Sequence, residues 1–337
     1  MSFLIQPSTK SQSYGLRPLN PLTDLGQVAN LIEDAFSTDL DYSGQSALNE
    51  LRWLNRFKPL LWWMLLVNFD QNDFLSGFVW EEDGRIVGNV TVNQMGISPR
   101  RWLISNVAVS EAYRGCGIAT GLLGASAELV KNQNGSYILL QVRANNAPAI
   151  YLYNSLQFQQ IGGTAYLKIN YIPRPPAGPP PLPNGIVLRI RRYDWYDNRQ
   201  VFQLAKLSIP ASVQKEWPLR QRYFFLDGYD QFKDFFRRLA GYGPAHWVAE
   251  KEQQIIATVN ICPNLFRQPH TIDLMVHPEH RNNLEEPLIT RALNYLSRWN
   301  NQYVTVKHPV DHPEAIAIYK SIGFYEDQTL LWMKREI

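Results

Sequence analysis

The chain has 337 residues, of which 45% are hydrophobic and 19% charged, and its formal net charge is +3. This composition is typical of a globular protein and excludes a chain that is disordered throughout or a bundle of membrane helices. The small net charge, without a dense block of Lys and Arg, argues against nucleic acid as a partner. At about 100–200 residues per domain, the length favours two domains.

Cysteine content and the start of the chain bear on location. Two cysteines, Cys116 and Cys262, exclude a disulfide scaffold and a cysteine-rich zinc module. The first residues lack a basic stretch followed by a long apolar core, so no signal peptide is expected. The apolar run 59–67 is too short for a bilayer, which needs about 20 residues. We therefore expect a cytoplasmic protein that does not bind membranes.

The first half of the chain predicts alternating strands and helices. A short strand ends near residues 17–19, and Asp24 is predicted to cap a helix with an apolar stripe over 28–36. A second helix is predicted around 51–57. Two strands then form a hairpin that turns at Asp83–Gly84.

Beyond the hairpin, the pattern becomes that of an α/β fold with a mixed sheet. Residues 102–109 predict a buried strand because they alternate little and end in Val-Ala-Val. A helix over 122–130, a strand over 137–142, a helix over 147–156 and closing strands up to Ile172 follow. In such folds the functional site lies at the carboxyl ends of strands.

The clearest domain boundary is the proline-rich run PRPPAGPPPLP at residues 173–183. Proline at this density favours an extended polyproline II spacer, although a ligand for an SH3 domain has the same composition. The predicted domains are therefore 1–172 and 184–337, joined by a linker over 173–183.

The two halves also resemble each other. Residues 107–114 match 274–281, and residues 149–158 match 315–324 at nearly the same offset. Several ordered matches at a nearly constant offset indicate a tandem duplication.

The most informative stretch is VAVSEAYRGCGIAT at residues 107–120, which runs from a strand through a glycine-containing turn into a helix. Glycine lets the backbone approach a ligand, and a helix N-terminus presents unpaired N–H groups with partial positive charge. Together these features suit an anion such as a pyrophosphate. Gly115 and Gly117 alone are equally compatible with a tight turn that binds nothing.

The turn resembles motif A of the GNAT superfamily of acyl-CoA-dependent N-acyltransferases, in which Gln or Arg is followed by x-x-Gly-x-Gly/Ala. Arg114, Gly117 and Ala119 stand at these positions. Downstream, VRANNAPAIYLYNSLQF at 142–158 resembles the family's motif B, except that Gln157 stands where the family has glycine.

The resemblance implies acetyl-CoA as cosubstrate, without a metal. By this resemblance Tyr153 protonates the departing thiolate, and a phenol with a pKa of about 10 can donate to a thiolate of about 8.5. The alternative is an ordinary packed tyrosine. Asn146 is expected to contact the pantetheine arm. The other expected cofactor-binding residues are Val107, Ala108, Val109, Arg114, Gly115, Cys116, Gly117, Ile118, Ala119 and Thr120.

The implied fold class is α/β (α+β), with two tandem GNAT-like domains, each a mixed, mostly antiparallel twisted sheet flanked by helices. Residues 1–172 are the expected catalytic domain. In 184–337, Leu284 and Glu286 replace the motif's glycine and alanine. A leucine side chain blocks close approach and carboxylates repel a pyrophosphate, so we expect this domain to be a degenerate copy.

The sequence leaves the general base, the apolar run and the histidines open to more than one interpretation. The strand before the motif has no carboxylate, so the candidates to deprotonate an amine, directly or through an ordered water, are Ser105, Asn106, Asp39, Asp41 and Glu50. The apolar run 60–66 fits either an acceptor pocket or a core helix. All histidines lie in the second half, where the pairs His277/His280 and His308/His312 suggest a metal, but nearby prolines favour loop histidines.

The expected function is an N-acetyltransferase that transfers an acetyl group from acetyl-CoA to a primary amine by direct attack in the first domain. A homodimer is compatible with this expectation. The rival function is a non-catalytic acyl-CoA sensor or interaction module. A nucleotide-binding enzyme of another kind is disfavoured because the lysine of a phosphate-binding loop is absent.

Overall fold

The computed structural model describes residues 15–36, 76–95, 100–172, 189–221, 243–264, 268–299 and 303–337. The strands in these ranges are β1 (Gly15–Pro18), β2 (Gly77–Glu82), β3 (Arg85–Gln94), β4 (Arg101–Val109), β5 (Tyr137–Arg143), β6 (Gln159–Ile169), β7 (Arg189–Arg192), β8 (Ala245–Lys251), β9 (Gln254–Cys262), β10 (His270–Val276), β11 (Val304–Pro309) and β12 (Tyr325–Glu336). The helices are α1 (Pro21–Phe36), α2 (Ile118–Asn132), α3 (Ala147–Ser155), α4 (Asn198–Ser208), α5 (Ala211–Glu216), α6 (Glu285–Leu296) and α7 (Pro313–Ile322). The linker 173–183 and the helix predicted around 51–57 lie outside the described residues.

Contacts divide the chain into two compact units that do not follow the sequence halves throughout. Unit 1 holds the described residues of 1–142, 147–160 and 332–337, and unit 2 holds those of 143–146 and 161–331. Unit 1 thus contains the end of β12, whereas unit 2 contains most of β6. The domain boundaries 1–172, 173–183 and 184–337 stay a prediction from the repeats.

Unit 1 is a mixed sheet in the order β1-β2-β3-β4-β5-β12. Strands β1 to β4 pair antiparallel in succession, and β4 and β5 are parallel. Helix α1 packs on one face, against Val79 and Ala108, while Ile118 of α2 packs against Gly88 on the other. Because β4 and β5 are parallel, both end at the same edge of this sheet.

Unit 2 repeats this arrangement in the order β12-β6-β11-β10-β9-β8-β7. Strands β7 to β10 pair antiparallel in succession, β10 and β11 are parallel, and β6 pairs antiparallel with β11. The two units confirm the predicted α/β class and the mixed, mostly antiparallel sheets. Within the described ranges, no helix is both long and apolar enough to cross a membrane.

In unit 1, an arginine joins the first strand to the first helix. Arg17 Nη1 lies 2.6 Å from Asp24 Oδ2, and Arg17 Nε lies 2.6 Å from Glu81 Oε2. Burial alone would raise the pKa of Asp24, but the hydrogen bonds from Arg17, Asn20 and Thr23 outweigh it and hold the pKa below its usual value. The carboxylate therefore stays charged inside unit 1.

Unit 2 contains the same arrangement. Arg191 Nη1 lies 2.7 Å from Asp197, and its Nε lies 2.8 Å from Glu250. A glutamine at the equivalent place in the first helix of each unit, Gln27 or Gln200, accepts the N–H of a β-hairpin residue at 3.0 Å. These paired contacts are the structural counterpart of the sequence repeats.

The start of α1 corrects one prediction. The helix begins at Pro21, and the Asn20 side chain caps it by accepting the N–H of Leu22 at 3.0 Å. Asp24 lies inside the first turn, where it accepts the N–H of Asn20 at 2.8 Å. The prediction that Asp24 is the cap was wrong because Asn20 and Asp24 are both capping residue types, and the tie to Arg17 was invisible in the sequence.

Replacing Arg17 by methionine should lower the free energy of unfolding by about 3 kcal/mol, because the buried Asp24 carboxylate loses its counter-charge. Urea unfolding followed by circular dichroism measures this change. The matched control is Arg85→Met, at an exposed position of β3, which should change stability by less than about 0.5 kcal/mol. Equal losses in the two variants would contradict the role given to Arg17.

Candidate functional site

The sequence-predicted site residues of the first repeat lie where two neighbouring parallel strands end. The turn 110–117 and helix α2 follow β4, and the turn 144–146 and helix α3 follow β5. Carboxyl ends of adjacent parallel strands are the usual location of ligand sites in such sheets. Within unit 1, this topology brings the β4 end, the glycine turn and Tyr153 to the same edge of the sheet.

Strand β4 carries a β-bulge near its end. Its pairing with β3 passes from Ala108 opposite Asn89 directly to Ser105 opposite Thr91, so β4 has one residue more than β3 over this span. Asn106 adopts a φ of 52°, in the left-handed region that asparagine tolerates better than most residues. The bulge changes the course of β4 immediately before the predicted cofactor residues 107–109.

One edge of β4 is left open beyond the bulge. The parallel pairing with β5 runs only from Arg101–Tyr137 to Ile104–Leu140, although both strands continue. Backbone groups of 107–109 on that side therefore have no partner in β5. An extended chain bearing amides can pair with such an edge as an additional strand does.

The turn after β4 is built for close approach. Gly115 and Gly117 have φ values of 79° and 80°, and a Cβ added to either would meet no heavy atom within 4 Å. Gly117 precedes α2, and the N–H of Gly121 donates to its carbonyl at 3.0 Å. The N–H groups of 118–120 come before this first helical turn is closed, so they can bind an anion.

Arg114 and Cys116 are both exposed in this turn. Arg114 Nε donates to the carbonyl of Val109 at 3.3 Å, which links the turn to the end of β4. Cys116 Sγ lies 3.8 Å from the carbonyl of Arg114. The charge of Arg114 adds to the partial positive charge of the helix terminus.

Tyr153 lies on α3 and is only 6% exposed. Its ring packs edge-on against Phe158, with 5.8 Å between ring centroids. Burial raises the pKa of Tyr153 to about 12, above the ordinary value of a tyrosine. The phenol therefore stays protonated throughout the physiological pH range and can act as a hydrogen-bond donor.

The turn before α3 contains Asn146, which is exposed and whose N–H donates to the carbonyl of Arg143 at 3.0 Å. By its contacts Asn146 is grouped with unit 2. After α3, Gln157 has a φ of 66°, which explains why the family's pattern has glycine there. Gln157 therefore occupies a conformation that costs about 1 kcal/mol relative to glycine.

The structure describes two of the five candidates for the general base. Asp39, Asp41, Glu50 and the apolar run 60–66 lie outside the described residues. On β4, Ser105 is half-buried and Asn106 is exposed. Sequence reasoning missed Asn89 on β3, which is fully buried beside the bulge. Little in the sequence signals it, because Thr91, Asn93 and Gln94 of the same strand are also polar.

The second repeat has a different structure at the equivalent place. Leu284, at the position of Gly117, is buried, and the adjacent Glu285 is 1% exposed at the start of α6. The Glu285 carboxylate accepts the N–H of Leu284 at 3.1 Å and lies 2.8 Å from His312 Nε2. The helix N-terminus that would bind an anion therefore already carries an internal carboxylate.

A chain of buried side chains continues from this carboxylate. His312 Nδ1 lies 3.0 Å from His308 Nε2, and the His308 ring packs edge-on against Tyr319 at 5.8 Å between centroids. Although burial alone would raise the pKa of Glu285, the hydrogen bond with His312 lowers it below its usual value. The carboxylate is thus stabilised in its charged form within the core of unit 2.

The second repeat differs from the first in two further ways, at the arginine of the turn and in the pairing of the central strand. Arg281, at the position of Arg114, donates from Nη1 to the carbonyl of Asp311 at 2.7 Å and is bound inside unit 2. Strand β10 pairs with β9 without interruption from Thr271 to Val276, so it has no bulge. These features are in keeping with the prediction that this repeat is a degenerate copy, which stays a prediction.

The histidine prediction requires correction. His246, His270 and His308 lie in strands rather than loops, and His312 stands at the N-cap position of α7 without a capping hydrogen bond from its side chain. His308 and His312 meet because the turn between β11 and α7 brings the strand end and helix start together, which does not require helical spacing. Among the described residues, no group of three or more His, Cys, Asp or Glu side chains could hold a metal ion.

The buried histidine should make stability depend on pH. The pKa of His308 is lowered to about 3, mainly by burial and further by the charges of His312 and Arg281. The pKa of a histidine in an unfolded chain is about 6.5. Between these values the unfolded chain binds a proton that the folded chain does not. The free energy of unfolding should therefore fall by up to about 1.4 kcal/mol per unit as the pH decreases through this range.

Urea unfolding of the wild-type protein and of His308→Phe at several pH values measures this contribution. The variant should have a shallower slope of stability against pH. Leu288→Ala, which loosens the same core without removing a histidine, should keep the wild-type slope. An unchanged slope in His308→Phe would show that His308 does not carry the effect.

Comparisons with known proteins agree with the two repeats. The acetyltransferase (GNAT) family model matches the chain twice, over residues 34–158 and 210–324. Among solved structures, a GCN5-related N-acetyltransferase from Sphaerobacter thermophilus has a TM-score of 0.60 at 16% identity and covers 95% of each chain. The tandem GNAT protein from the clavulanic acid biosynthesis pathway has a TM-score of 0.50 at 18% identity, covering 96% of this chain and 98% of that one. At these identities the likeness shows the fold alone.

Curated relatives match a shorter part of the chain. An N-alpha-acetyltransferase from Sulfurisphaera tokodaii is 35% identical over 94 residues, covering 25% of this chain and 56% of that protein. The N-alpha-acetyltransferase RimI of Mycobacterium tuberculosis is 34% identical over 80 residues, covering 23% and 49%. The chain thus spans about half the length of these relatives. Because the family model matches both halves and most of the chain, the protein belongs to the GNAT acetyltransferase family and carries two of its repeats in tandem.

Proposed function

We propose that the first repeat is an N-acetyltransferase that uses acetyl-CoA to acetylate a primary amine, with the α-amino group of a polypeptide as the acceptor class. The observation that carries this proposal is the open edge of β4 at 107–109, followed directly by a glycine-bounded helix start. The acceptor class is supported by the names of the N-alpha-acetyltransferases that the chain resembles.

The residues present fit the cosubstrate. The open edge of Val107–Val109 can pair with the pantetheine amides, and the N–H groups of 116–120 can hold the pyrophosphate. The empty space above Gly115 and Gly117, which a Cβ would enter without touching other protein atoms, leaves room for the phosphates. Arg114 supplies a positive charge at the same turn, and Asn146 is proposed to contact the pantetheine arm.

Acetyl-CoA, when bound, supplies an activated acyl thioester that an uncharged amine can attack directly. A backbone N–H of β4 on the open edge is proposed to donate to the thioester oxygen, on which negative charge develops. Holding the thioester against a fixed strand edge limits the geometries available to the attacking amine, which lowers the entropic part of the barrier.

Tyr153 is proposed to donate its proton to the departing sulfur. Its pKa of about 12 lies above the value of about 8.5 for an ordinary thiol, so complete transfer in water-like surroundings would be unfavourable by about 5 kcal/mol. Burial also raises the pKa of a thiol beside it, which narrows this gap. Tyr153 therefore begins as a hydrogen-bond donor and releases its proton as charge builds on the sulfur. The attacking nitrogen loses one proton to solvent as the amide forms, and the phenol regains its proton from solvent.

Of the two expected acceptor classes, a small molecule or a peptide amine, the peptide amine is proposed; the protein is proposed to act on it in the cytoplasm, without nucleic acid or membrane as a partner, and a homodimer is compatible with this proposal. The rival function, a non-catalytic acyl-CoA sensor, is favoured by one observation: β4 has no carboxylate that could deprotonate the amine. The two functions differ in turnover, which Tyr153 tests directly.

The stoichiometry of acetyl-CoA binding tests the proposal first. Calorimetric titration should give one site per chain, because Glu285 fills the equivalent helix terminus in the second repeat. Gly117→Glu should abolish the heat, since it adds a carboxylate and a side chain where φ is 80°.

The matched control is Gly124→Glu, which adds the same side chain to α2 at a position with open space, away from the helix N-terminus. It should bind as the wild-type protein does. Two sites per chain would contradict the inference that Glu285 prevents the second repeat from binding acetyl-CoA. Absence of binding would contradict the proposed function.

Tyr153→Phe should reduce kcat by roughly 100-fold while leaving the Kd for acetyl-CoA within about twofold, because only the proton donor is lost. Thiol release from acetyl-CoA in the presence of peptides with free α-amino groups measures the rate. Tyr151→Phe, at an exposed position of the same helix, is the control and should keep the wild-type rate. Equal kcat values in the two variants would show that Tyr153 is not the proton donor. If the wild-type protein binds acetyl-CoA but shows no turnover, the sensor function is favoured.

A further inference from the structure

A buried amide lies directly beside the bulge of β4. Asn89, on β3, is 0% exposed, and its Nδ2 donates to the carbonyl of Asn106 at 2.9 Å. In a regular antiparallel pair the strand ladder itself would supply the donor for such a carbonyl. Here the extra residue in β4 takes Asn106 out of register, and a side chain supplies the donor instead.

A second contact holds the same residue. Asn106 Nδ2 lies 3.4 Å from Oγ1 of Thr91, which is 4% exposed on the same strand as Asn89. The bulge residue is thus held by Asn89 through its carbonyl and by Thr91 through its side chain. These two contacts restrain the backbone immediately before the open edge at 107–109.

The orientation of the Asn89 amide is fixed by its partner. A carbonyl oxygen accepts only, so the Asn89 nitrogen must face Asn106, and its Oδ1 must point away. This Oδ1 is buried without a hydrogen-bond partner among the described residues. Leaving a buried acceptor unsatisfied is destabilising, so stability alone does not account for an asparagine here.

The second repeat supplies an internal comparison. Met275 of β10 is the equivalent of Ala108 of β4, because residues 274–281 match 107–114. Thr258 of β9 lies opposite Met275, just as Asn89 of β3 lies opposite Ala108. Strand β10 has no bulge there, and the residue that stands in place of Asn89 has no side-chain amide. The long amide donor and the extra strand residue therefore occur together in the first repeat and are both missing from the second.

We propose that Asn89 is a positioning residue for acetyl-CoA: its amide holds the Asn106 carbonyl and so fixes the strand edge that pairs with the pantetheine arm. This inference rests on the proposed function of the first repeat. It assigns Asn89 no contact with the reacting atoms, and its effect is exerted through the backbone of β4.

Asn89→Thr, which introduces the residue of the second repeat, tests this role. The Kd for acetyl-CoA, measured by calorimetry, should rise at least tenfold, and the KM for acetyl-CoA should rise more than kcat falls. The matched control is Asn93→Thr, on the same strand beyond the bulge, where Asn93 also has a buried Oδ1 without a partner among the described residues. This control should keep Kd within twofold at a comparable change in Tm.

Several outcomes overturn the proposal. An unchanged Kd in Asn89→Thr, or an equal rise in Asn93→Thr, would reduce Asn89 to a structural residue while the proposed function stands. If Asn89→Thr does not fold, the nearly isosteric Thr91→Val removes the other contact to Asn106 and should raise Kd about threefold; an unchanged Kd there also overturns the proposal. Absence of acetyl-CoA binding by the wild-type protein overturns the proposed function and this inference with it.

Discussion

The candidate site depends on one extra residue in a central strand. Because β4 is one residue longer than the stretch of β3 that it faces, its pairing with β5 ends at Ile104 while the strand itself continues to Val109. The backbone donors and acceptors of 107–109 on that side are thereby left unpaired with β5, at the end of the sheet where α2 begins. Gly115 and Gly117 in the turn leave open space where a larger residue would place its side chain.

The two repeats keep the same frame and differ at this one edge. In both, an arginine of the first strand joins two carboxylates, as Arg17 and Arg191 do, and a glutamine holds the hairpin. These contacts join the first strand, the first helix and the hairpin, and they serve the folding of each unit. The bulge, the glycines and the exposed arginine are confined to the first repeat, so the frame does not require a ligand site.

The sequence predicted the parts of the site that depend on local backbone chemistry. Gly115 and Gly117 could be identified because glycine in a strand–turn–helix context indicates positive φ, and Tyr153 because a motif fixed its place on a helix. The bulge at Asn106 could not be predicted, since one extra residue in an apolar strand leaves no compositional signal. The capping role of Asp24 was wrong because Asn20 is an equally good capping residue and Arg17, on the preceding strand, binds the Asp24 carboxylate. The loop placement of His308 was wrong because its surroundings depend on a partner distant in sequence, Glu285, which it reaches through His312.

In both repeats a helix begins shortly after the central strand: α2 follows the bulged β4, and α6 follows the regular β10. The N-terminus of each helix needs a partner for its positive charge. A helix N-terminus carries partial positive charge and unpaired N–H groups, which must be solvated or bound. In the first repeat Gly117 and Thr120 are exposed, so water or an external anion can satisfy them. In the second repeat Leu284 and Glu285 are buried, so water is excluded and the Glu285 carboxylate provides the anion from within the chain. Burial of that terminus therefore requires the internal carboxylate, and the carboxylate in turn requires the histidine that hydrogen-bonds to it.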